Sequence, residues 1–188
     1  MENEIINTKI IQFHPSSLYS VFVFENVFDE NYLNTLHKKV DSLTKDNVSM
    51  TRISNVKATM TDWEECLKHK TFTKLNTKII ELLNTVIRLR TSHERINLSY
   101  KIIEMWGMRH KKGDNTNLHD HWVGDVKWSG AFYISVPGET IIEFPEFKKR
   151  EQIKSNSLYL FPAMVKHEVY EQTYDEHRLS LAFNVNVN

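Results

Sequence analysis

The hydrophobic period of the sequence changes near residue 95, and this change leaves few fold classes open. Before that point, apolar residues recur with the spacing of one face of an α-helix. After it, apolar and polar residues alternate in short runs that Gly, Pro and Asn separate, as in an antiparallel β-sheet. Helices in one half and strands in the other predict an α+β fold, with the N-terminal helices packed on the outer face of the major sheet.

One strand and several helices are predicted for the first half. The run SVFVFENV predicts a strand, and Asp29 after it is typical of a helix N-cap. The apolar face of that helix consists of Leu33, Leu36, Val40 and Leu43. Thr61 and Glu64 match a capping box and predict another helix start. A longer helix that reaches about Arg90 has an apolar face of Leu75, Ile79, Leu83 and Val86.

The second half carries the pattern of a β-sandwich or jelly roll. Its predicted strands are residues 96–110, 117–122, 128–136, 139–144, 157–162, 165–170 and 177–187. No repeat, low-complexity tract or Pro/Ser-rich linker interrupts the sequence. We therefore expect a single domain over residues 1–188, with 1–94 as mostly helical support and 95–188 as the β core.

Composition excludes several classes of protein. Lys+Arg and Asp+Glu both number 24, so the chain lacks the basic excess of a dedicated nucleic-acid binder. Its one cysteine, Cys66, excludes an internal disulfide framework, favours a cytoplasmic location, and is assigned to the core rather than to a nucleophile. The acidic N-terminal segment does not match a signal peptide. We expect no membrane partner, and the sequence leaves a homo-oligomer open.

Two strands have one bulky and one small or polar face. Alternation places Trp128, Phe132, Ile134 and Val136 on one face of the first strand, and Ser129, Ala131, Tyr133 and Ser135 on the other. The last strand divides likewise into Leu179, Leu181, Phe183 and Val185 against Arg178, Ser180, Ala182 and Asn184. The bulky faces should meet the helices. The other faces look either onto solvent, as is common in antiparallel sheets, or into a cavity.

Three histidines are candidate metal ligands. His119 and His121 flank Asp120, and on an extended backbone both rings project to one side while Asp120 points away. A chain with 9 His also yields such a pair by chance, on the surface. His167 shares its face with apolar residues, where a histidine is usually a satisfied core residue. The other histidines are assigned to surface or structural positions: His14, His37, His69, His93, His110 and His177.

Three segments carry a family resemblance. They are MWGMRHKKGDNTNLHDHWVGDVKWSGAFYI, SLYLFPAMVKHEV and HRLSLAFNVNV, which span about residues 100–187. Their order of Trp, Gly-Asp, His-x-His, Ser-Gly-x-x-Tyr, Phe-Pro, His and Arg-x-Ser resembles the Fe(II)/2-oxoglutarate-dependent dioxygenases, particularly the prolyl-hydroxylase-like subgroup. The resemblance implies a double-stranded β-helix, or jelly roll, and a single oxygenase-like domain.

The resemblance also implies the site. It assigns the metal ligands to His119, His121 and His167, and it names no other catalytic residue. Arg178 would bind the far carboxylate of 2-oxoglutarate, with Ser180 and Tyr133 assisting. The implied cofactor is Fe(II), with 2-oxoglutarate and O2 as co-substrates.

The ligand set departs from the usual pattern of two histidines and one carboxylate. Either the site is a three-His triad, or Asp120 coordinates through a bent backbone. A third imidazole leaves an Fe(II) site one charge more positive, which bears on its oxidative competence. A different class, a cupin-like three-His metal protein without 2-oxoglutarate, would need a protein carboxylate to pair with a buried Arg178. A further alternative is a degenerate member of the family with a structural metal.

The function implied is hydroxylation by an Fe(II)- and 2-oxoglutarate-dependent oxygenase. A protein side chain, such as a peptidyl proline, leads the substrate hypotheses by analogy with the family. A small molecule is the other substrate class.

Overall fold

The computed structural model describes residues 7–12, 20–46, 55–90 and 99–187. The helices are α1 (Glu30–Asp46) and α2 (Thr73–Arg90). The strands are β1 (Asn7–Gln12), β2 (Ser20–Glu25), β3 (Thr59–Met60), β4 (Tyr100–His110), β5 (Thr116–His119), β6 (Trp128–Ser135), β7 (Ile141–Phe144), β8 (Lys149–Gln152), β9 (Ser157–Pro162), β10 (His167–Val169) and β11 (Arg178–Val187). Short 3-10 turns cover Glu65–Lys68, Lys70–Phe72 and Pro145–Phe147.

The strands form two antiparallel sheets. The large sheet has the order β1-β2-β9-β6-β11-β4-β3, and the small sheet has the order β5-β10-β7-β8. Apolar side chains from both sheets pack together between them, including Tyr159 and Phe161 from the large sheet and Ile142 and Phe144 from the small one. The predicted α+β jelly roll is therefore confirmed.

Both helices cover the outer face of the large sheet, as predicted. Leu36 and Val40 of α1 and Ile79 of α2 are fully buried in one cluster with Phe132 and Leu181 of the sheet. Burial of this many aliphatic and aromatic side chains is the main source of stability, since each contributes roughly 1.5–3 kcal/mol. The bulky faces of β6 and β11 thus meet the helices.

Val136 is an exception to the predicted faces, because it packs with the inner cluster between the sheets. The reason is that β6 ends at Ser135, so strict alternation no longer fixes the direction of the next side chain. The β6–β11 register also shifts between Leu179 and Ser180. That shift sets Ser180 opposite Tyr133.

One predicted helix start is confirmed and one is wrong. The Asp29 carboxylate accepts the Tyr32 N–H at 2.8 Å, as an N-cap should. The capping box at Thr61 and Glu64 does not form. The Thr61 hydroxyl instead accepts the Gly107 N–H at 2.9 Å, because Thr61 directly follows β3 beside β4. Glu64 precedes a 3-10 turn and makes no side-chain cap.

The first half contributes more strand than the sequence predicted. The strand predicted from SVFVFENV is present as β2, and β1 joins it at the edge of the large sheet.

The second half differs from its prediction at two strands. The unpredicted strand β8 reads KREQ, which has no apolar residue and so gives no alternation signal. The strand predicted over 117–122 ends at His119. The domain count stays a prediction, as does the start of the strand at residue 96, which lies outside the described residues.

Cys66 is fully buried, in agreement with its assignment to the core. Burial raises the pKa of its thiol to about 12, so the reactive thiolate is scarce near neutral pH. Neither α-helix in the described part of the chain combines the length and apolar character that crossing a bilayer requires.

Candidate functional site

Three histidine rings converge between the two sheets. His119 ends β5, His167 begins β10, and the antiparallel register sets these two residues opposite each other. Their ring centroids are 4.4 Å apart, and that of His121 lies 4.9 Å from His119 and 5.4 Å from His167. One nitrogen from each ring lies within 4.8 Å of the others. Nitrogens bonded to one divalent cation at about 2.0–2.1 Å lie no more than about 4.2 Å apart, so the three rings are already near the arrangement that a shared ion needs.

The backbone after β5 turns His121 toward the other two rings. The His121 N–H donates to the Ala163 carbonyl at 2.8 Å, and the Val123 N–H donates to the His121 carbonyl at 2.8 Å. The Asp120 carboxylate accepts the Trp122 N–H at 3.1 Å, which ties it to its own loop. Asp120 is not part of the three-histidine group.

Backbone carbonyls fix the tautomers of two rings. Nδ1 of His119 lies 2.8 Å from the Asn117 carbonyl, and Nδ1 of His167 lies 3.2 Å from the Val165 carbonyl. Because a carbonyl only accepts, Nδ1–H is the donor in both, and Nε2 keeps a free lone pair. Such a hydrogen bond behind a ring is the usual support of a metal-binding histidine.

Burial keeps the three rings neutral. It lowers the pKa of His119, lowers that of His121 to about 3, and lowers that of His167 well below 6.5. Charge on a neighbouring ring lowers the pKa of His121 and His167 further. Neutral imidazole is the form that binds a metal ion, so the group is ready to coordinate near neutral pH.

A buried arginine lies at the start of β11. Arg178 is 1% exposed, and its Nε and Nη1 atoms have no hydrogen-bond partner in the described chain. Burial lowers the pKa of Arg178, whereas Tyr133, Tyr174 and Asp114 oppose this, Tyr174 also through a hydrogen bond with the guanidinium. Asp114 makes no hydrogen bond to Nε or Nη1; one of its oxygens accepts the Lys111 N–H at 3.0 Å. A guanidinium buried with free donors is costly unless an anion completes it.

Two further hydroxyl groups lie on the same inner face. The Ser180 hydroxyl is buried and has no partner among the described residues. Tyr133, opposite Ser180 in the β6–β11 register, is also buried, and burial raises the pKa of its phenol to about 12. The charge of Arg178 lowers that pKa in part, so the two groups are near neighbours. Tyr133 and all three histidines line one inner cavity of about 40 Å³.

His110, which the sequence assigns to a surface or structural position, lies beside Arg178. His110 ends β4 opposite Arg178, is 1% exposed, and has an Nδ1 atom with no partner in the described chain. Burial and the charge of Arg178 hold its pKa well below 6.5. Alternation along β4 places His110 on the face of Trp106 and Met108, and that signal could have found it.

A second, larger cavity of about 590 Å³ opens on the outer side of the histidine group. His119 and His121 form part of its wall, together with Asp120. Exposed Trp122 and Val123 follow directly in the chain, and Val123 lines the cavity. The interior of the jelly roll thus has buried Arg178 at one end, the three-histidine group next to it, and an open cavity beyond.

Comparison with known proteins identifies the fold. No protein-family model and no curated protein matches the sequence. A Pseudomonas putida prolyl-4-hydroxylase is similar in structure, at 13% identity over 90% of this chain and 93% of that one, with a TM-score of 0.66. The viral collagen prolyl hydroxylase of Paramecium Bursaria Chlorella virus-1, in complex with 2-oxoglutarate, has 12% identity over 88% and 94% of the chains and a TM-score of 0.64.

HygX of Streptomyces hygroscopicus, with nickel and 2-oxoglutarate bound, is also similar, at 13% identity over 88% of this chain and 81% of that one, with a TM-score of 0.60. Identities this low show a shared fold, and activity has to be inferred from the site itself. The chain has the jelly-roll fold of the 2-oxoglutarate-Fe(II) oxygenases.

Proposed function

We propose that this protein is an Fe(II)- and 2-oxoglutarate-dependent oxygenase, most simply a hydroxylase. The observation that carries the proposal is Arg178, a buried guanidinium whose Nε and Nη1 have no partner among the described residues, on the large sheet that faces a group of three neutral histidines. The likeness to oxygenases with 2-oxoglutarate bound supports the same conclusion.

The metal ligands in this proposal are His119, His121 and His167. Their lone pairs lie close enough to share one ion, and burial keeps them unprotonated. Three imidazoles on one side leave the other coordination positions open, as a catalytic metal requires. Phe161 packs against His167 with ring centroids 4.7 Å apart, and Phe144 lies beyond at 6.3 Å. Phe161 of the large sheet and Phe144 of the small sheet thus place apolar rings beside the group.

The co-substrate ligands in this proposal are Arg178, Ser180 and Tyr133. The guanidinium offers free N–H groups on Nε and Nη1, each able to donate to an anionic oxygen, and Ser180 adds a free hydroxyl. An anion would satisfy these donors together. A cupin-like protein without 2-oxoglutarate would need a protein carboxylate on Arg178, and Nε and Nη1 have none within the described residues.

Iron and 2-oxoglutarate, when bound, would supply the oxidation, in which O2 is consumed, 2-oxoglutarate becomes succinate and CO2, and a substrate C–H group becomes C–OH. The chain itself binds and orients the reactants and keeps water out. The inner cavity of about 40 Å³ holds about three water molecules, so side chains near Arg178 must move when a larger anion enters.

The primary substrate is a protein side chain or a small molecule. Peptidyl proline is the substrate class suggested by the two prolyl hydroxylases of similar fold. A cytoplasmic location, supported by the single buried cysteine, belongs to the same proposal.

Equilibrium binding of 2-oxoglutarate to the Ni(II)-loaded protein tests the proposal. We expect binding that Arg178→Ala abolishes and that Arg150→Ala, an exposed arginine paired with Glu143, leaves unchanged. Metal binding should survive Arg178→Ala, because Arg178 is not a ligand. Equal 2-oxoglutarate affinity in the wild type and Arg178→Ala would contradict the proposed role.

A further inference from the structure

The cavity of about 590 Å³, called the outer cavity below, has only acidic residues among the charged side chains of its described lining. Its described lining includes the carboxylates of Glu104, Asp120 and Asp125, and no lysine or arginine. The chain as a whole has equal numbers of acidic and basic residues, so this lining departs from the average surface. Carboxylates in a concave wall focus the local potential and favour a cationic ligand.

A hydrogen bond from a buried neighbour fixes the side chain of Glu104 in the cavity wall. Asn184 Nδ2 donates to one Glu104 oxygen at 2.6 Å, and the Ser129 hydroxyl donates to Asn184 Oδ1 at 2.9 Å. Both Ser129 and Asn184 are buried. The second Glu104 oxygen receives no hydrogen bond from the described residues, although a carboxylate accepts several. Glu104 is thus a carboxylate of fixed orientation that can accept further hydrogen bonds from a ligand.

Two tryptophans stand beside the carboxylates. Trp63 and Trp106 pack edge to face, with centroids 4.6 Å apart at 84°, and both line the cavity. Indole faces attract cations, and this attraction is strongest where water is excluded. Trp106 is 3% exposed, and its indole N–H has no acceptor in the described chain. A bound molecule with an acceptor near its cation would satisfy that donor.

A purely solvated acidic surface would look different. Asp125 fits that description, since it is exposed, and Asp120 already binds its own loop. Glu104 does not fit it, because it lies on inner strand β4 and a buried amide fixes its orientation. A neutral ligand covering Glu104 would leave a desolvated carboxylate without a counter-charge, which disfavours binding.

We propose that the outer cavity recognises an organic cation, so that the primary substrate carries a protonated amine or a guanidinium group. The cation pairs with Glu104, its carbon skeleton lies along Trp63 and Trp106, and the adjoining carbon faces His119 and His121. This inference rests on the proposed oxygenase function. The cavity volume of about 590 Å³ accommodates a lysyl or arginyl side chain of a peptide, or a small amine.

Paired probes that differ only in charge test the inference by calorimetry. Nα-acetyl-lysine amide is compared with its Nε-acetylated form, and glucosamine with N-acetylglucosamine, on metal-free protein and with Ni(II) and 2-oxoglutarate present. We expect the cationic member of at least one pair to bind tenfold or more tightly than the neutral one. The pair that shows the preference distinguishes a peptide substrate from a small amine.

Substitutions then locate the preference. Glu104→Gln should abolish it, and Asp125→Asn should weaken it about threefold as a longer-range charge. Glu146→Gln, at an exposed carboxylate outside the cavity lining, is the matched control and should leave it unchanged. Asp125→Asn keeps the test valid if Glu104→Gln fails to fold, because Asp125 is exposed and needs no packing.

Two results would overturn the inference. One is equal affinity for both members of both pairs, which includes no binding of any probe. The other is a preference that Glu104→Gln leaves intact. Binding of 2-oxoglutarate is measured separately, so its absence together with a cation preference would contradict the oxygenase function and not the cation site.

Discussion

The two ends of the inner face of β11 have opposite chemistry. At one end, Nε and Nη1 of Arg178 and the Ser180 hydroxyl are buried donors without an acceptor among the described residues. At the other, Asn184 supports Glu104, a carboxylate with spare acceptor capacity. The three-histidine group lies between them on the facing sheet. In the proposed function, one strand would direct an anionic co-substrate and a cationic substrate to opposite sides of one metal ion.

The three-histidine group lies at the centre of this contrast, and removing one of its rings should have the largest effect on ligand binding. We expect His167→Ala to weaken Fe(II) or Ni(II) binding by more than about 100-fold, since even the supports of such ligands are each worth about 10–100-fold. Metal titration under anaerobic conditions measures the effect. His37→Ala, at an exposed position on α1, is the control. Unchanged metal affinity in His167→Ala would show that His167 is not a metal ligand.

The cationic end should bind a ligand at the expense of stability. We expect Arg178→Met to lower 2-oxoglutarate affinity by about 100-fold, because a buried charged anchor is lost. In metal-free protein the same change should raise the free energy of unfolding by about 1–4 kcal/mol, because an unpaired buried cation is removed. Denaturant unfolding measures this, with Arg150→Met as the exposed control. A destabilised Arg178→Met would mean that the chain itself already satisfies the guanidinium.

His110, beside Arg178, should make the free energy of unfolding depend on pH. Its pKa lies well below 6.5 in the folded protein, so below about pH 6.5 the unfolded chain binds more protons at this residue. The free energy of unfolding should therefore fall on acidification, by up to about 1.4 kcal/mol per pH unit for this histidine. His110→Gln should lose that share of the acid sensitivity. Identical pH profiles of the variant and the wild type would show that His110 titrates normally.

At the end of β11 near Glu104, the tryptophans should contribute less to the affinity for a cation than the carboxylate does. We expect Trp63→Leu to lower the affinity for the preferred cationic probe about fivefold, since one indole face contributes roughly 1 kcal/mol at a half-exposed position. Binding of the neutral probe should fall less. Calorimetry on both probes gives the comparison, and an equal loss for both would indicate general apolar contact rather than cation recognition.

Much of this arrangement is readable from the sequence, because alternation is a local property. The faces of β6 and β11 follow from period two, and they predict that Tyr133, Arg178 and Ser180 share one side. The two core positions of α1, Leu36 and Val40, follow equally from period 3.6.

Long-range contacts are not readable in this way. The capping box at Thr61 is wrong because a distant residue, Gly107, takes the hydroxyl. Glu104 looked like any charged strand residue, since its support by Asn184 joins positions far apart in the sequence. Local alternation places His110 on the face of Trp106 and Met108, but its pairing with Arg178 arises only when β4 and β11 align. The long-range contacts of these three residues depend on strand pairing that no local period encodes.

The visible charge-transfer band between Fe(II) and 2-oxoglutarate reports on the metal ligands and the carboxylate anchor together. Fe(II) and then 2-oxoglutarate are added anaerobically to the wild type, His167→Ala and Arg178→Ala, with Arg150→Ala as control. We expect a band in the wild type and the control that both site variants lose, since one lacks a metal ligand and the other the carboxylate anchor. No band in the wild type, or an undiminished band in Arg178→Ala, would contradict this expectation.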